Sequence, residues 1–144
     1  MTRFLLDVNV LIALIDPLHV YHDRAHEWYV AVGQYGWATC PIAENGVLRI
    51  VGSRRYPNSP GTPAAVAELV ERLRAVPGHA FWPDDLSLLD HRRIDRSRLL
   101  DSGQITDSYM LALAVAHGGE LATFDRHVVA DAVVGGAAAL HLIP

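Results

Sequence analysis

Arg3-Phe4-Leu5-Leu6-Asp7-Val8-Asn9-Val10-Leu11-Ile12-Ala13-Leu14-Ile15 is the stretch that decides the fold. Residues 3–6 form a short apolar run that stops at a carboxylate, the pattern of a buried strand. Residues 8–15 then read as a short helix, closed by Asp16-Pro17. A strand that runs at once into a helix opens a βα unit, and the same rhythm recurs downstream. Residues 19–34 read as an amphipathic helix and Trp37-Ala38-Thr39 as a second strand. Pro41 starts a helix that runs to Val51, and Thr62 caps another over 63–76. A third strand is expected at 79–82 and loop over 84–101. Ser102 is expected to cap a helix over 103–117 that Gly118-Gly119 ends. Strands at 121–124 and 139–142 complete the chain. Short apolar strands alternating with helices predict an α/β fold on a parallel sheet.

At 144 residues the chain is expected to be one domain, 1–144, large enough for a core without staples. Only 19% of residues are charged and 51% are hydrophobic, which excludes intrinsic disorder. No apolar run approaches the roughly 18 residues a transmembrane helix needs. Asp7 and Asn9 interrupt the longest run, and no small-residue cleavage site follows it, which argues against a signal peptide. With Cys40 as the lone cysteine, neither an internal disulfide nor a cysteine-based zinc site can form, and a cytoplasmic protein is expected. All 12 basic side chains are arginines. The lack of lysine excludes Schiff-base chemistry and Walker-type loops, and no G-x-G-x-x-G fingerprint is present. The net charge of −4 disfavours a general nucleic-acid binder.

Four acids stand where stability does not want them. Asp7 and Asp125 each follow an apolar strand, at the edge of a parallel sheet where ligand crevices form. Glu44 has Val47, Leu48 and Val51 three, four and seven residues on, so it faces its helix's apolar side. Asp107 repeats the pattern with Met110, Leu111 and Ala114. Each has an ordinary reading as a helix-cap, first-turn or turn residue. None of those readings explains the apolar faces. Unpaired buried carboxylates are expensive, and a hard divalent cation that takes oxygen ligands is the cheapest common partner. Mg²⁺ or Mn²⁺ fits better than zinc here. Asn9 and Thr106, beside two of the acids, are expected to position a ligand or water.

These pieces resemble the PIN domain family, specifically the VapC-type toxin ribonucleases of bacterial toxin–antitoxin pairs. The matching segments are Leu5-Leu6-Asp7-Val8-Asn9-Val10-Leu11, Pro41-Ile42-Ala43-Glu44, Ile105-Thr106-Asp107 and Ala122-Thr123-Phe124-Asp125-Arg126, in order across the chain. The run from Gly78-His79 to Asp84-Asp85 looks like one subgroup. The resemblance implies a three-layer α/β/α sandwich around a mostly parallel sheet of about five short strands. It implies that Asp7, Glu44, Asp107 and Asp125 are catalytic and hold one or two Mg²⁺ or Mn²⁺ ions. Asn9 and Thr106 would lie near the metal, and Asp84 and Asp85 are candidates farther out. RNA would be cut to leave a 5′-phosphate and a 3′-hydroxyl. It further implies a VapB-like antitoxin partner, a homodimer and no membrane partner. Two divalent ions would bring the net charge to about zero.

Two arginine clusters are candidates for RNA contact: Arg49 with Arg54 and Arg55, and Arg92 and Arg93 with Arg96 and Arg98. A solvated charged face is the ordinary alternative for each. His19, His22 and His26 share one helical face, read as solvated rather than as a metal patch. Trp28 and Tyr29 are read as core or dimer contacts. A catalytically silent PIN-like binding module and an acidic-pocket phosphotransfer module are the competing functions. The second normally needs a lysine.

Overall fold

The computed structural model describes residues 2–144. Five strands form one sheet: β1 (Phe4–Leu6), β2 (Trp37–Thr39), β3 (His79–Phe81), β4 (Glu120–Thr123) and β5 (Leu140–Leu142). Their order is β3-β2-β1-β4-β5 and every pair is parallel. The helices are α1 (Val8–Ile15), α2 (His22–Ala31), α3 (Pro41–Val51), α4 (Pro63–Arg74), α5 (Ile105–Ala116) and the single-turn α6 (Gly136–Ala139). Helices α1 to α4 pack together over one face, and α5 and α6 cover the other, giving the three-layer α/β/α sandwich. Strand order reverses at β1, so the crossovers on its two sides fall on opposite faces and a crevice opens beyond the carboxyl ends.

Burial follows from this layering. Central strands β1 and β2 are buried at every position, whereas edge strands β3 and β5 are half open. Helix α1 buries five consecutive residues, Val10 to Leu14, because it is enclosed on all sides. Phe4 meets Trp28 edge-on at 5.2 Å, and Trp37 meets Tyr29 at 6.1 Å, which pins α2 to the face carrying Phe4 and Trp37. The thiol of Cys40 is buried, and that burial pushes it up to about 11, too high for thiolate chemistry at neutral pH.

Several boundaries differ from expectation. The 19–34 helix is shorter: residues 17–21 turn under Asp16, and a 3-10 turn at Gly33–Tyr35 follows. Asp101, rather than Ser102, caps the segment leading into α5. Its carboxylate accepts from the Gly103 amide at 2.9 Å, while Gln104 accepts from the Asp101 amide at 3.0 Å. That is a capping box, legible as Asp-x-x-Gln. Thr62 caps α4 as expected, accepting from Ala65 at 3.2 Å. Gly118 ends α5 in the left-handed region, φ +68°. The 84–101 segment holds one 3-10 turn, Arg96–Arg98, and is pinned by a bridge between Ile94 and Val133.

Candidate active site

Asp7 is placed by the ladder itself. Its amide donates to Ala122 at 3.0 Å, continuing the β1–β4 pairing one residue past Leu6. Its carboxylate turns back as the cap of α1, accepting from the Val8 amide at 2.7 Å. The other oxygen accepts from the Thr123 hydroxyl at 2.8 Å, with the Asn9 amide at 3.4 Å. The capping role and the site role therefore coexist in one side chain. Thr123 is the hub: it also accepts from Asn9 Nδ2 at 3.1 Å and from the Asp125 amide at 3.0 Å. Asn9 Oδ1 accepts from the Phe124 amide at 3.1 Å, so the Asn9 side chain is fixed at both ends. Asn9 lies beside Asp7, as its spacing predicts, and the sequence reading gives Thr123 no role. The signal was available in the register, since alternation puts Thr123 on the same side as Asp7.

Asp107 and Asp125 share the walls of a cavity of about 310 Å³ beside this hub. Burial pushes the Asp107 carboxyl up to about 6, and the charges of Asp7 and Asp125 push the same way. Asp7 is raised as well, chiefly by burial, with Asp125 adding to it and its hydrogen-bond donors opposing. Three aspartates from three distant segments thus feel one another. Asp125 also closes its own turn, accepting from the His127 amide at 2.8 Å.

Glu44 stands apart. Its carboxylate accepts from the Thr39 hydroxyl at 2.6 Å and pairs with Arg74 at 3.4 Å, in a separate cavity of about 540 Å³ that also holds His79. Alternation explains the separation: Thr39 lies one residue out of phase with Asp7, on the opposite face of the sheet. The Thr39 proton goes to Glu44, so His79 Nε2 must donate to Thr39, at 2.7 Å. Burial first, then Arg74 and Arg3, hold His79 down to about 4, which keeps it neutral. Among the described residues no three of His, Cys, Asp and Glu form a ready metal cage. The aspartates nonetheless offer only oxygen donors, and their mutual repulsion is what a hard cation relieves. They fit Mg²⁺ or Mn²⁺. In this arrangement Glu44 does not join them.

The other candidates divide. Thr106 is exposed and makes no side-chain hydrogen bond among the described residues. Asp84 is raised by burial and by Asp85, with the Ile42 amide opposing, which places it at the start of α3. Arg92 and Arg93 both pair with Asp90, at 3.3 and 3.9 Å, and Arg98 pairs with Asp95 at 3.4 Å, so part of this loop's positive charge is matched. Arg92 and Arg93 lie against Ala112 and Val115, about 7–12 Å along α5 from Asp107. Arg49 is exposed in the last turn of α3. His22 and His26 hydrogen-bond the carbonyls of Ala13 and Leu14, at 2.7 and 3.1 Å. They satisfy the open end of α1 and form no metal patch. His19 accepts from the Tyr21 amide, and Trp28 lies in the core.

Comparison with known proteins agrees with this architecture. The PIN domain profile matches residues 4–133. Ribonuclease VapC44 of Mycobacterium tuberculosis is 47% identical over 133 residues, 92% of this chain and 93% of that protein. Ribonuclease VapC39 of the same organism is 40% identical over 131 residues, 91% and 94% of the two chains. A crystal structure of VapBC2 from Rickettsia felis, bound to a DNA fragment from their promoter, superposes with TM-score 0.58 at 12% identity. It covers 88% of this chain and 90% of that one, and shares the fold. The chain belongs to the PIN domain family and, within it, to the VapC-type proteins.

Proposed function

We propose that this chain is a metal-dependent endoribonuclease, the toxin of a toxin–antitoxin pair. It would cut RNA phosphodiester bonds with an activated water and so inhibit translation or growth. The observation that carries the reading is the gathering of Asp7, Asp107 and Asp125, with Asp107 pushed up to about 6 by burial and by the other two. The kinship with proteins named ribonucleases supports it.

Asp7, Asp107 and Asp125 would hold Mg²⁺ or Mn²⁺, one ion or two. The bound metal supplies neutralisation of phosphate charge and a water of lowered pKa. The chain's own contribution is preorganisation. Thr123 and Asn9 fix the Asp7 carboxylate before any ligand arrives, and the Val8 amide fixes its second oxygen. Glu44 is the fourth candidate ligand, and joining the group requires it to release Arg74. Partners on this reading are an RNA substrate, a VapB-like antitoxin and a second copy of the chain. Leu18, Val20, Val30 and Tyr35 leave apolar surface on and around α2 for another protein chain to cover. No helix among the described residues is long and apolar enough to cross a membrane, and a cytoplasmic location completes the reading.

The test is 5′-end mapping of total cellular RNA incubated with the purified chain and Mn²⁺, beside Asp7→Asn. Discrete new 5′-phosphate ends, lost in the variant and with chelator, are expected. No new ends from protein that binds Mn²⁺ would sink the reading and leave a catalytically silent PIN-like module.

A further inference from the structure

A second cavity, of about 460 Å³, adjoins the aspartates. Its walls include Tyr21, Arg24, Phe124, Asp125, Arg126 and His127, with Asn9 at the inner end. Asp125 and His127 also line the cavity that holds Asp107. The two hollows therefore meet at Asp125 and His127, and their chemistry differs. One half is acidic. The other carries two guanidinium groups, an imidazole and an aromatic pair.

The aromatic pair is built. Tyr21 stacks on Phe124 with centroids 4.9 Å apart and planes at 30°. The Arg24 guanidinium lies 4.6 Å over Tyr21 and 5.2 Å from the Phe124 centroid, held by the carbonyls of Pro144 at 2.9 Å and Ile143 at 3.4 Å. Tyr21 still leaves 36% of its surface open. Arg126 follows Asp125 directly, is exposed, and has no ion pair among the described residues. This contrasts with Arg92 and Arg93, which share Asp90, and with Arg98, which pairs with Asp95. The Tyr21 ring also has His19 at 5.8 Å, so it is a partly open ring beside cations. Such a pairing is how proteins hold single-stranded nucleic acid: the cation takes phosphate and the ring meets a base.

We infer that the Tyr21–Arg24–Phe124–Arg126 hollow is a nucleotide subsite for single-stranded RNA, taking one base and one phosphate next to the bond placed over the aspartates. The inference rests on the ribonuclease reading and adds where the strand lies. Arg24 stiffens the aromatic pair, Tyr21 offers the stacking face, and Arg126 offers the free charge. A volume of about 460 Å³ is within the range of small-ligand sites.

The experiment is fluorescence anisotropy with a short labelled single-stranded RNA, in chelator so that no cleavage occurs, over a series of salt concentrations. Arg126→Ala is expected to weaken binding about threefold to tenfold and to lower the salt slope by about one phosphate contact. Tyr21→Ala is expected to weaken binding at least about fivefold with the slope unchanged, and Tyr21→Phe to restore it. Melting curves of each variant guard against misfolding, and Arg126 is exposed enough to replace safely. If the unsubstituted chain binds RNA and both alanine variants bind it equally well, the subsite is overturned and the ribonuclease reading survives. If the unsubstituted chain binds no RNA in chelator, the subsite is overturned, while the ribonuclease reading, whose carboxylates need metal to face phosphate, stands or falls on the end mapping. Variants that keep RNA affinity but escape inhibition by the antitoxin would assign the hollow to a protein segment instead, overturning the subsite.

Discussion

The two ends of α1 carry aspartates of nearly equal surface exposure and opposite character. Asp7, at the start, is 7% exposed, and Asp16, at the end, is 5% exposed. Burial raises both. At Asp16 that rise is more than offset by donors: the Tyr56 hydroxyl, Asn58 Nδ2 at 3.0 Å and the Leu18 amide at 3.0 Å, helped by His19. Its carboxyl ends below the ordinary range. Asp7 also has donors, but Asp125 adds like charge and the balance stays raised. Asp16 is a finished structural joint that ties the loop after α3 to α1. Asp7 is left unfinished, with the like charge of Asp125 beside it. Surface exposure alone would not have separated them; the deeper setting of Asp7 and the identity of the neighbours do.

The largest effect should come from breaking the unfinished end. Asp7→Asn is expected to lower RNA cleavage about a thousandfold, as loss of several kcal/mol of metal-borne stabilisation implies. Its melting temperature in chelator should not fall. A marked fall would make Asp7 a cap first and a site residue second. The finished end should respond in the opposite way. Asp16→Ala leaves three donors without their acceptor and is expected to lose about 2–4 kcal/mol of stability. That is roughly 6–12 °C of melting temperature for a chain of this size. Cleavage below the new melting point should be retained.

Next comes the pH sign. A raised carboxyl such as Asp107 contributes stability below pH 3.8, its ordinary value, and loses it as pH rises through about 6. The lowered Asp16 contributes above pH 3.8 and loses its share as pH falls further. Asp107→Asn should therefore raise metal-free stability at pH 7.5 by about 1 kcal/mol, a figure reduced for the half-open side chain, and by much less at pH 4. Equal gains at both values would detach Asp107 from the like-charge group. The smallest effect concerns Glu44. Arg74→Ala removes its competing cation and is expected to tighten Mn²⁺ binding about threefold by calorimetry, with stability changed by less than about 1 kcal/mol. Unchanged affinity would leave Glu44 in the Thr39–His79 cluster.

Most of the layer structure was legible because periodicity and punctuation are local. Pro41, Thr62 and Gly118 each act within one turn of where they sit, and the helices they bound appear where expected. The errors also have local causes. The turn under Asp16 shortened the 19–34 helix through a hydrogen bond from Leu18, and the Asp101–Gln104 box displaced Ser102. The site was legible in part. An acid after an apolar strand marks a sheet edge, which found Asp7 and Asp125. An acid on an apolar helical face found Asp107. The same rule found Glu44 but could not say which side of the sheet its helix would face. In the arginine-rich loop, composition does not show that Arg92 and Arg93 share Asp90 or that Arg98 pairs with Asp95.

By itself the sequence determined the βα rhythm, the parallel sheet, the family and the list of acids, since each rests on residue type at short spacing. Only the tertiary structure decided which acids share a neighbourhood. It joined Asp7 to Thr123, 116 residues away, and sent Glu44 to Arg74. It also set Arg126 and Tyr21 beside the aspartates rather than among other charges. The physical reason is that strand alternation and crossover hand fix the face on which a side chain emerges. Coulombic and hydrogen-bonding energies then depend on that face and not on distance along the chain.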